Sequence, residues 1–322
     1  MKLSVIIVSW NVKYDLLNCL KSLYESCASC QFEVIVVDNA STDGSAEATR
    51  DSFPQAKLII NSENRGFAAA ANQTIKIARG EYILLLNPDT LVHRSSLDNL
   101  VRVLDEEPAV GACGPRLVDV EGKTYPSIGY LPTFRSVLYG KTFFRTIGIF
   151  RSHYKKLTAN DFDYDKLLCV EQLSGAVLMV RRSVFEEIGL MDESFFMYYE
   201  DADLCLRVRK ADWKIVYTPT SIVTHIGGRS SIQVSAKKRM MVYSSLLTYL
   251  RKYRGRFATR MFSLIFKPAV IVKEISNVFS GTITFLVSIL LCNRGKWSKS
   301  LAKTKSSAIF LVRYSWRFLF KT

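Results

Sequence analysis

Residues 3–11 of the chain read LSVIIVSWN, and residues 32–41 read FEVIVVDNAS. Each stretch begins as a short apolar run rich in β-branched residues and ends in polar residues, which is typical of strands buried in a parallel sheet. Between the two stretches, leucines recur at helical spacing at positions 16, 17, 20 and 23. This part of the sequence therefore predicts a strand, a helix and a second strand within about 30 residues.

The pattern continues beyond residue 41. Two more apolar runs, Leu58 to Ile60 and Tyr82 to Leu86, enclose an Ala-rich helix predicted over Ala68 to Ala78. Strands that alternate with helices predict an α/β fold with a Rossmann-like, mostly parallel sheet. The sequence has neither the G-x-G-x-x-G nor the G-x-x-x-x-G-K-[ST] pattern, which argues against a dehydrogenase-type dinucleotide site and a Walker-type NTPase.

In such sheets, ligands bind at the carboxyl ends of the strands. The candidate residues for a nucleotide site are the polar, glycine and aromatic residues that follow the predicted strands: Ser9, Asn11, Asp38, Asn64, Gly66, Phe67, Asn87 and Asp89. Two of the acids also have ordinary structural explanations. Asp89 follows a proline in a turn sequence, and Asp38 precedes a run of helix-capping residues.

Residues 199–207 read YEDADLCLR and place two carboxylates side by side, Glu200 and Asp201. Paired acids beside a nucleotide site indicate a positioned general base. Alternatively, the charged residues of this stretch form only the polar face of a helix. Asp203 and Arg207 stand four residues apart and would form an ion pair there.

Six motifs occur together in the first 230 residues, at 5–11, 36–43, 64–68, 86–89, 174–176 and 200–207. In this order and spacing they resemble the inverting family 2 glycosyltransferases with the GT-A fold, and most closely the bacterial rhamnosyltransferases of surface-polysaccharide assembly. The resemblance implies that Asp38 accepts a hydrogen bond from the base of a nucleotide-sugar donor. Ser9 and Asn11 would line the same pocket, and residues 64–67 would close over it.

The resemblance also implies a divalent cation, Mg²⁺ or Mn²⁺, on the donor diphosphate. Asp89 would hold the cation, with His225 as a further ligand, and Asp201 would deprotonate the acceptor hydroxyl beside Glu200. This chain departs from the D-x-D motif of the family because Asn87 stands at the first position. A neutral ligand there would weaken cation binding. Without this context, His225 would more often be a buried side chain with ordinary partners.

Basic charge is concentrated at the C-terminal end. Residues 236–322 carry 18 Lys and Arg against a single acid, a net charge of +17, whereas residues 1–235 carry 26 against 28. The cations alternate with bulky apolar and aromatic residues, which is typical of amphipathic helices at anionic membrane surfaces. A nucleic-acid partner would make few favourable contacts with so many Leu, Ile and Phe side chains. We therefore predict a catalytic domain over 1–235, with a nucleotide-sugar half at about 1–115 and an acceptor half at about 116–235, followed by a basic membrane-association region over 236–322.

The stretch from Ile275 to Cys292 has no charged residue and three possible interpretations: a transmembrane helix, an interfacial or re-entrant hairpin, or a buried helix.

The first predicted strand follows Met1 directly, which predicts no signal peptide and a catalytic domain at the cytoplasmic face of the plasma membrane of a bacterium. Residues 27–30 read CASC, a redox-like spacing that we interpret as structural.

The resemblance, together with the basic C-terminal region, implies a metal-dependent inverting glycosyltransferase that moves a sugar, L-rhamnose from a dTDP donor, onto a lipid-linked saccharide. Two alternatives stay open. One is a nucleotidyltransferase with a similar sheet, although the chain lacks a Gly-rich phosphate loop with Arg and Lys. The other is a non-catalytic membrane scaffold that keeps the fold.

Overall fold

The structure is a computed structural model that describes residues 1–26, 29–145, 147–148, 162–227, 235–290 and 294–322. They belong to two compact units, Met1–Leu131 with Thr158–Ser230, and Pro132–Leu157 with Ser231–Thr322. The division predicted at residue 235 differs, because it assigned residues 132–157 to the N-terminal domain. Cys27 of the CASC motif lies outside the described residues, as do the last two residues of the 275–292 stretch.

Strands and helices are numbered along the chain. The strands are β1 Leu3–Ser9, β2 Phe32–Asp38, β3 Lys57–Ile60, β4 Tyr82–Leu86, β5 Thr90–Val92, β6 Val110–Val118, β7 Thr124–Tyr125, β8 Ile128–Gly129, β9 Leu168–Cys169, β10 Gln172–Leu173, β11 Val177–Arg181 and β12 Lys214–His225. The helices are α1 Lys13–Glu25, α2 Ser45–Ser52, α3 Phe67–Ile75, α4 Ser96–Glu106, α5 Phe134–Lys141, α6 Arg182–Ile188, α7 Glu200–Lys210, α8 Ser235–Arg254, α9 Arg256–Leu290, α10 Arg294–Ile309 and α11 Ser315–Lys321.

One large sheet organises the first unit, with the strand order β3-β2-β1-β4-β11-β6-β12-β5. The first four of these strands are parallel to one another, as predicted. β11 lies antiparallel between β4 and β6. The predicted α/β fold is confirmed, with antiparallel strands added to a parallel N-terminal half. In this topology the ends of β1, β2 and β4 lie at the same edge.

Helix α3 differs from its prediction at both ends, because it begins at Phe67 and ends at Ile75. The last turn tightens there, since the N–H of Ile77 donates to the carbonyl of Thr74, three residues before it. Between residues 118 and 164, the described part of the chain contains β7, β8, α5 and a 3₁₀ turn at Phe143–Arg145.

Hydrophobic side chains of the sheet pack on both faces. Val5 and Val36 belong to the cluster that includes residues of α1 and α4. Ile6 and Ile35 belong to the cluster on the other face, with residues of α3 and α7. Strands that are buried on both faces must be apolar at every position, which explains the continuous runs in the sequence.

The second unit is helical. A buried aromatic cluster joins its helices, made of Tyr243, Phe266, Phe310 and Phe318. Nε of Arg239 lies 3.3 Å from Oε1 of the buried Glu274. Among the described residues, one helix is long and apolar enough to cross a membrane, over Arg256–Ser288 within α9.

The backbone around Gly80 has no space for a side chain. A Cβ atom at this position would lie 2.3 Å from the amide nitrogen of Ser4 and 2.5 Å from the carbonyl carbon of Leu3. Because these are main-chain atoms of β1, the strand would have to move. We expect Gly80→Ala to lower the free energy of unfolding of the first unit by about 1–3 kcal/mol, measured by urea denaturation. Gly129→Ala is the control, since a Cβ there meets no atom within 4 Å; equal effects of the two changes would contradict this packing.

Candidate active site

Asp38 and Ser9 end adjacent parallel strands and are paired in register. Asp38 is 1% exposed, and its Oδ2 accepts a hydrogen bond of 3.0 Å from the amide of Ser41. Its Oδ1 and the Oγ of Ser9 are buried with no hydrogen-bond partner among the described residues. The turn-capping explanation therefore accounts for one carboxylate oxygen only. A buried oxygen without a partner costs free energy, which a ligand N–H at this position would recover.

Asn11 lies in the loop after β1 and stabilises the neighbouring loop after β2. Its Oδ1 accepts a hydrogen bond of 2.7 Å from the amide of Thr42, and its own amide donates to Oγ of Ser41 over 2.9 Å. The residue has a positive φ of 53°, a conformation that asparagine tolerates. Its side chain thus positions the loop beside Asp38.

A network of side-chain amides extends from this loop, and the sequence analysis missed its central residue, Asn39. The Nδ2 of Asn39 donates to Oδ1 of Asn64 and to the carbonyl of Gly66. Its Oδ1 accepts from Nδ2 of Asn61, which is also bonded to Gln73. Asn39 stands directly after Asp38 in the sequence, so its position at a strand end was a signal that could have identified it.

Gly66 has a φ of +79°, and a Cβ atom there would lie 2.5 Å from the carbonyl oxygen of Phe196. The amide of Phe67 donates to the same oxygen over 2.8 Å. The 64–67 loop therefore lies directly against the segment that precedes α7. In that segment, Tyr198 and Tyr199 both have positive φ values, which is strained backbone of the kind found at functional sites.

Asp89 and His225 lie together, with Oδ1 of Asp89 3.4 Å from Nε2 of His225. The carbonyl of Asp89 accepts a hydrogen bond from Ile226, and Nδ1 of His225 is buried without a partner among the described residues. Asn87, predicted as a donor-site residue, contributes its main chain here: its amide donates to the carbonyl of Ala176, and its carbonyl accepts from Oγ1 of Thr90.

A carboxylate and an imidazole are suitable ligands for a divalent cation. The described part of the chain has no group of three or more His, Cys, Asp or Glu side chains that could hold a metal. Asp89 and His225 therefore fit a cation that takes its remaining ligands from oxygen atoms of a bound substrate.

Asp201, at the start of α7, is held by main-chain amides. Its Oδ2 accepts from Gly175 over 3.0 Å, and its Oδ1 accepts from Ala202 over 2.8 Å. A Cβ atom on Gly175 would lie 3.1 Å from Cβ of Asp201, so a glycine permits this approach. Burial raises the pKa of the Asp201 carboxyl, and the amide hydrogen bonds partly oppose that shift.

Burial also raises the pKa of Glu200, and the neighbouring charge of Asp201 adds to the shift, bringing the pKa to about 8. The Oε2 of Glu200 has no hydrogen-bond partner among the described residues. Burial and the charges of Glu200 and Asp89 together raise the pKa of Tyr198. Glu200 and Asp89 therefore both lie close enough to the Tyr198 phenol to affect its pKa. The predicted catalytic pair and the predicted cation ligand are thus near the same side chain.

Asp203 has the structural role that the alternative interpretation gave it. Its fully buried carboxylate accepts a hydrogen bond of 2.8 Å from Nε of Arg207, and the guanidinium also donates to the carbonyls of Ile188 and Gly189. The predicted i, i+4 ion pair is confirmed. Asp201 takes no part in it and bonds to Gly175 instead.

A cavity of about 240 Å³ lies beside Asp201. Its lining is mainly short polar and main-chain groups, from Pro126, Ser127, Ile128, Gly129, Gln172, Leu173, Ser174 and Asp201. The side chain of Gln172 lies near the Asp201 carboxyl and opposes the rise in its pKa. The cavity is thus suited to a polar molecule that presents a hydroxyl to the Asp201 carboxylate.

Comparison with known families and proteins agrees with these features. The sequence model described as "Glycosyl transferase family 2" matches residues 4–189. An N-acetylglucosaminyl-diphospho-decaprenol L-rhamnosyltransferase of Mycobacterium tuberculosis is 35% identical over 208 residues, which is 60% of this chain and 66% of the relative, just under two thirds of its length. A low-salt glycan biosynthesis hexosyltransferase of Haloferax volcanii is 26% identical over 290 residues, 89% of this chain and 82% of the relative.

Among solved structures, this chain is similar to a mannosyltransferase of Pyrobaculum calidifontis in complex with GDP-Man and Mn²⁺. The TM-score is 0.57 at 18% sequence identity, and the match covers 97% of this chain and 88% of the other. The likeness shows a shared fold and confirms the predicted GT-A architecture.

The raised pKa of Glu200 predicts a pH-dependent stability. An ordinary glutamate has a pKa of 4.5, whereas that of Glu200 in the folded protein is about 8. Between these values the folded state binds more protons than the unfolded state, so stability falls as the pH rises through this range. Glutamine cannot ionise. We therefore expect the melting temperature of Glu200→Gln, relative to the wild type, to rise by on the order of 5 °C from pH 5 to pH 9.

Glu121→Gln is the control for this measurement, because it removes one negative charge from an exposed turn. The difference between the melting curves of this variant and the wild type should not grow with pH. A Glu200→Gln variant that behaves in the same way would show that the buried carboxyl carries no ionisation penalty.

Proposed function

Because the chain belongs to the glycosyl transferase family 2, we propose that it transfers a sugar from a nucleotide-activated donor to a hydroxyl group of an acceptor. One observation carries the proposal. Asp201 is fixed by the amide of Gly175 at the wall of a polar cavity, and its pKa is raised above that of an ordinary carboxyl. A carboxylate with a raised pKa is a better base for an acceptor hydroxyl.

We propose L-rhamnose as the sugar, dTDP as its carrier and a lipid-linked saccharide as the acceptor, in the synthesis of a cell-surface polysaccharide. The similarity to the mycobacterial protein, whose name states L-rhamnosyl transfer to a diphospho-decaprenol carrier, supports this choice. The basic and apolar C-terminal region supports an acceptor that is held in a membrane.

The donor half of the site would be formed by the ends of β1 and β2. The free Oδ1 of Asp38 would accept an N–H of the base, and Oγ of Ser9 would bind beside it. The amide network around Asn39 holds the 64–67 loop in place, so that this loop would cover the nucleotide. These contacts supply binding and orientation.

Asp89 and His225 would hold a Mg²⁺ or Mn²⁺ ion on the diphosphate of the donor. When bound, the cation neutralises the charge that develops on the leaving diphosphate. The two residues fit such an ion because Nε2 of His225 and Oδ1 of Asp89 already lie 3.4 Å apart. The main chain of Asn87 positions the turn that carries Asp89.

Asp201 would take the proton of the acceptor hydroxyl as the new glycosidic bond forms and the bond to the diphosphate breaks. A single base on the face opposite the leaving group gives inversion at the anomeric carbon. Glu200, with its pKa of about 8, stays protonated at neutral pH. Of the two acids, Asp201 is the one that lines the cavity, so we assign the role of general base to it.

The membrane-associated part of the reaction would take place at the cytoplasmic face of the plasma membrane. The positive charge of residues 236–322 would attract an anionic lipid surface, at roughly 1 kcal/mol for each cation near it. This region would hold the enzyme at the surface where a lipid-linked acceptor resides.

The first test is transfer by the purified full-length protein, with a panel of nucleotide sugars, Mg²⁺ or Mn²⁺ against a chelator, and membrane extract as the source of acceptor. We expect one donor to be consumed only with the cation. We expect Asp201→Asn to lower kcat by orders of magnitude while the Kd for the donor stays within about threefold, because the change removes the base and leaves the donor half intact.

Asp212→Asn is the matched control, since it makes the same substitution at an exposed position just after the same helix. It should keep wild-type turnover. If Asp201→Asn also kept turnover, the assignment of the base would be wrong. If no donor were consumed while the protein still bound lipid vesicles, the scaffold alternative would replace the enzyme; release of diphosphate from a nucleoside triphosphate would instead favour the nucleotidyltransferase.

Binding of the nucleotide tests Asp38 separately. In Asp38→Asn, the amide oxygen can still accept from Ser41, which turns the amide NH₂ toward the position where the base N–H would donate. Loss of a hydrogen bond to a charged group costs about 1.5–3 kcal/mol. We expect a weakening of about 10- to 100-fold in the Kd for the nucleoside diphosphate, measured by calorimetric titration, and no change for Asp51→Asn on the exposed end of α2. If Asp38→Asn and the wild type bound the nucleoside diphosphate with equal affinity, the nucleobase would not be bound by Asp38.

A further inference from the structure

Helix α9 exposes an apolar stripe along its whole length. Its exposed large hydrophobic residues, here called the lipid-facing stripe, are Phe257, Met261, Leu264, Ile265, Val272, Ile275, Phe279, Ile283, Leu286, Val287 and Leu290. At 100° per residue these positions fall within about 140° of the helix circumference. Measured along the helix at 1.5 Å per residue, the stripe is about 50 Å long, and Pro268, which has no main-chain N–H, lies within it.

The opposite face of α9 is occupied by the second unit itself. Phe262, Phe266 and Val270 are buried there, and Glu274 is 1% exposed beside Arg239. Lys267 donates to the carbonyls of Leu319 and Thr322 near the end of the chain. The helix therefore has one apolar exposed face and one face with charged and packed groups.

The second half of α9 packs antiparallel against α10 through small residues. Oγ of Ser300 donates to the carbonyl of Gly281 over 2.6 Å. A Cβ atom on Gly281 would lie 2.2 Å from Oγ1 of Thr304, and the rings of Phe285 and Trp297 are 6.1 Å apart. The two helices are therefore in close contact over this length, on the face of α9 opposite the stripe, and α10 would accompany α9 if α9 crossed the bilayer.

This packing determines the orientation that a membrane permits. Helix α10 exposes Lys299, Lys303 and Lys305 to solvent. If α9 crossed the bilayer, these lysines would be carried into the hydrocarbon region, where a charged side chain is strongly disfavoured. If α9 lies along the surface, the lysines can reach the lipid head groups while the stripe is buried. The stripe is also longer than the roughly 30 Å of the hydrocarbon core, which suits a helix in the plane of the interface.

Exposed hydroxyl groups on α9 are compatible with this burial. Thr282 donates to the carbonyl of Val278, and Thr284 donates to that of Ser280. Because these two hydroxyl protons are bonded within the helix, a lipid contact leaves neither of them unsatisfied.

We propose that α9 lies in one leaflet of an anionic membrane, with the lipid-facing stripe sunk among the acyl chains and α10 packed on the opposite, head-group side of α9, and that the chain does not cross the bilayer in this region. The proposal rests on the membrane association included in the proposed function, and it selects the interfacial interpretation of residues 275–292. The occupant is a lipid surface because apolar area and basic charge occur on the same unit.

The side of the membrane on which the chain ends tests the crossing directly. A phosphatase that is active only after export and a fluorescent protein that matures in the cytosol are fused after Thr322 of the full chain, and the same reporters are fused before Met1. We expect both termini to report the same side. Opposite sides would show that α9 crosses the bilayer and would overturn the proposal.

Vesicle flotation tests the stripe, with liposomes of phosphatidylglycerol and phosphatidylethanolamine. Leu264→Ser and Leu286→Ser remove one exposed leucine from each half of α9, and each should weaken partitioning about tenfold. Ile77→Ser, at an exposed position of the first unit, is the control and should bind as the wild type. An effect of Leu286→Ser alone would fit a short spanning segment and contradict a helix that lies flat.

Failure of this proposal can be told apart from failure of the proposed function. A protein that transfers sugar to a soluble acceptor but does not float with the vesicles would refute the interfacial helix and leave the transferase intact. A protein that floats through its stripe but consumes no donor would leave the membrane proposal intact and refute the enzyme. Circular dichroism of the serine variants should match the wild type, since the substituted side chains are exposed.

Discussion

The parallel register of β1 with β2 and β4 is the constraint on which the candidate site depends. It brings chain segments around residues 9, 38 and 87 to one edge of a single sheet, although they are far apart in the sequence. Antiparallel pairing of β11 with β4 then places the Ser174–Ala176 turn beside Asn87, whose amide bonds to the carbonyl of Ala176. Because Gly175 in that turn holds Asp201, the position of the predicted base follows from strand pairing.

The site concentrates polar atoms that the protein itself does not satisfy. Buried side-chain atoms without a partner among the described residues include Oδ1 of Asp38, Oγ of Ser9, Nδ1 of His225 and Oε2 of Glu200. Each such atom lowers stability, so the fold carries a free-energy cost at this edge of the sheet. A ligand that satisfies some of them recovers that cost on binding, and it binds only the folded state. The lower stability at this edge of the sheet and the binding of a ligand there would then have the same physical origin.

Local sequence was sufficient for the parts of the fold that repeat a simple rule. The apolar runs of β1 to β4 and the polar residues at their ends follow from burial on both sheet faces, so the strands and the neighbourhood of Asp38 could be predicted. The network around Asn39 could not, because its partners Asn61 and Gln73 become neighbours only after the sheet and α3 have formed. The i, i+4 spacing already indicated that Asp203 would pair with Arg207, whereas the hydrogen bond from Gly175 to Asp201 was hidden because the two residues are 26 positions apart in the sequence.

Charge and apolar area serve different purposes in the C-terminal region. Residues 1–235 carry a net charge of −2, so long-range attraction to an anionic surface would come from residues 236–322. Salt screens such attraction within about 10 Å at 0.1 M, whereas burial of apolar side chains is not screened. The cations would thus bring the protein to the surface and the lipid-facing stripe would retain it there. An enzyme whose acceptor is confined to one leaflet gains from this combination, because it can search in the plane of the membrane without dissociating between encounters.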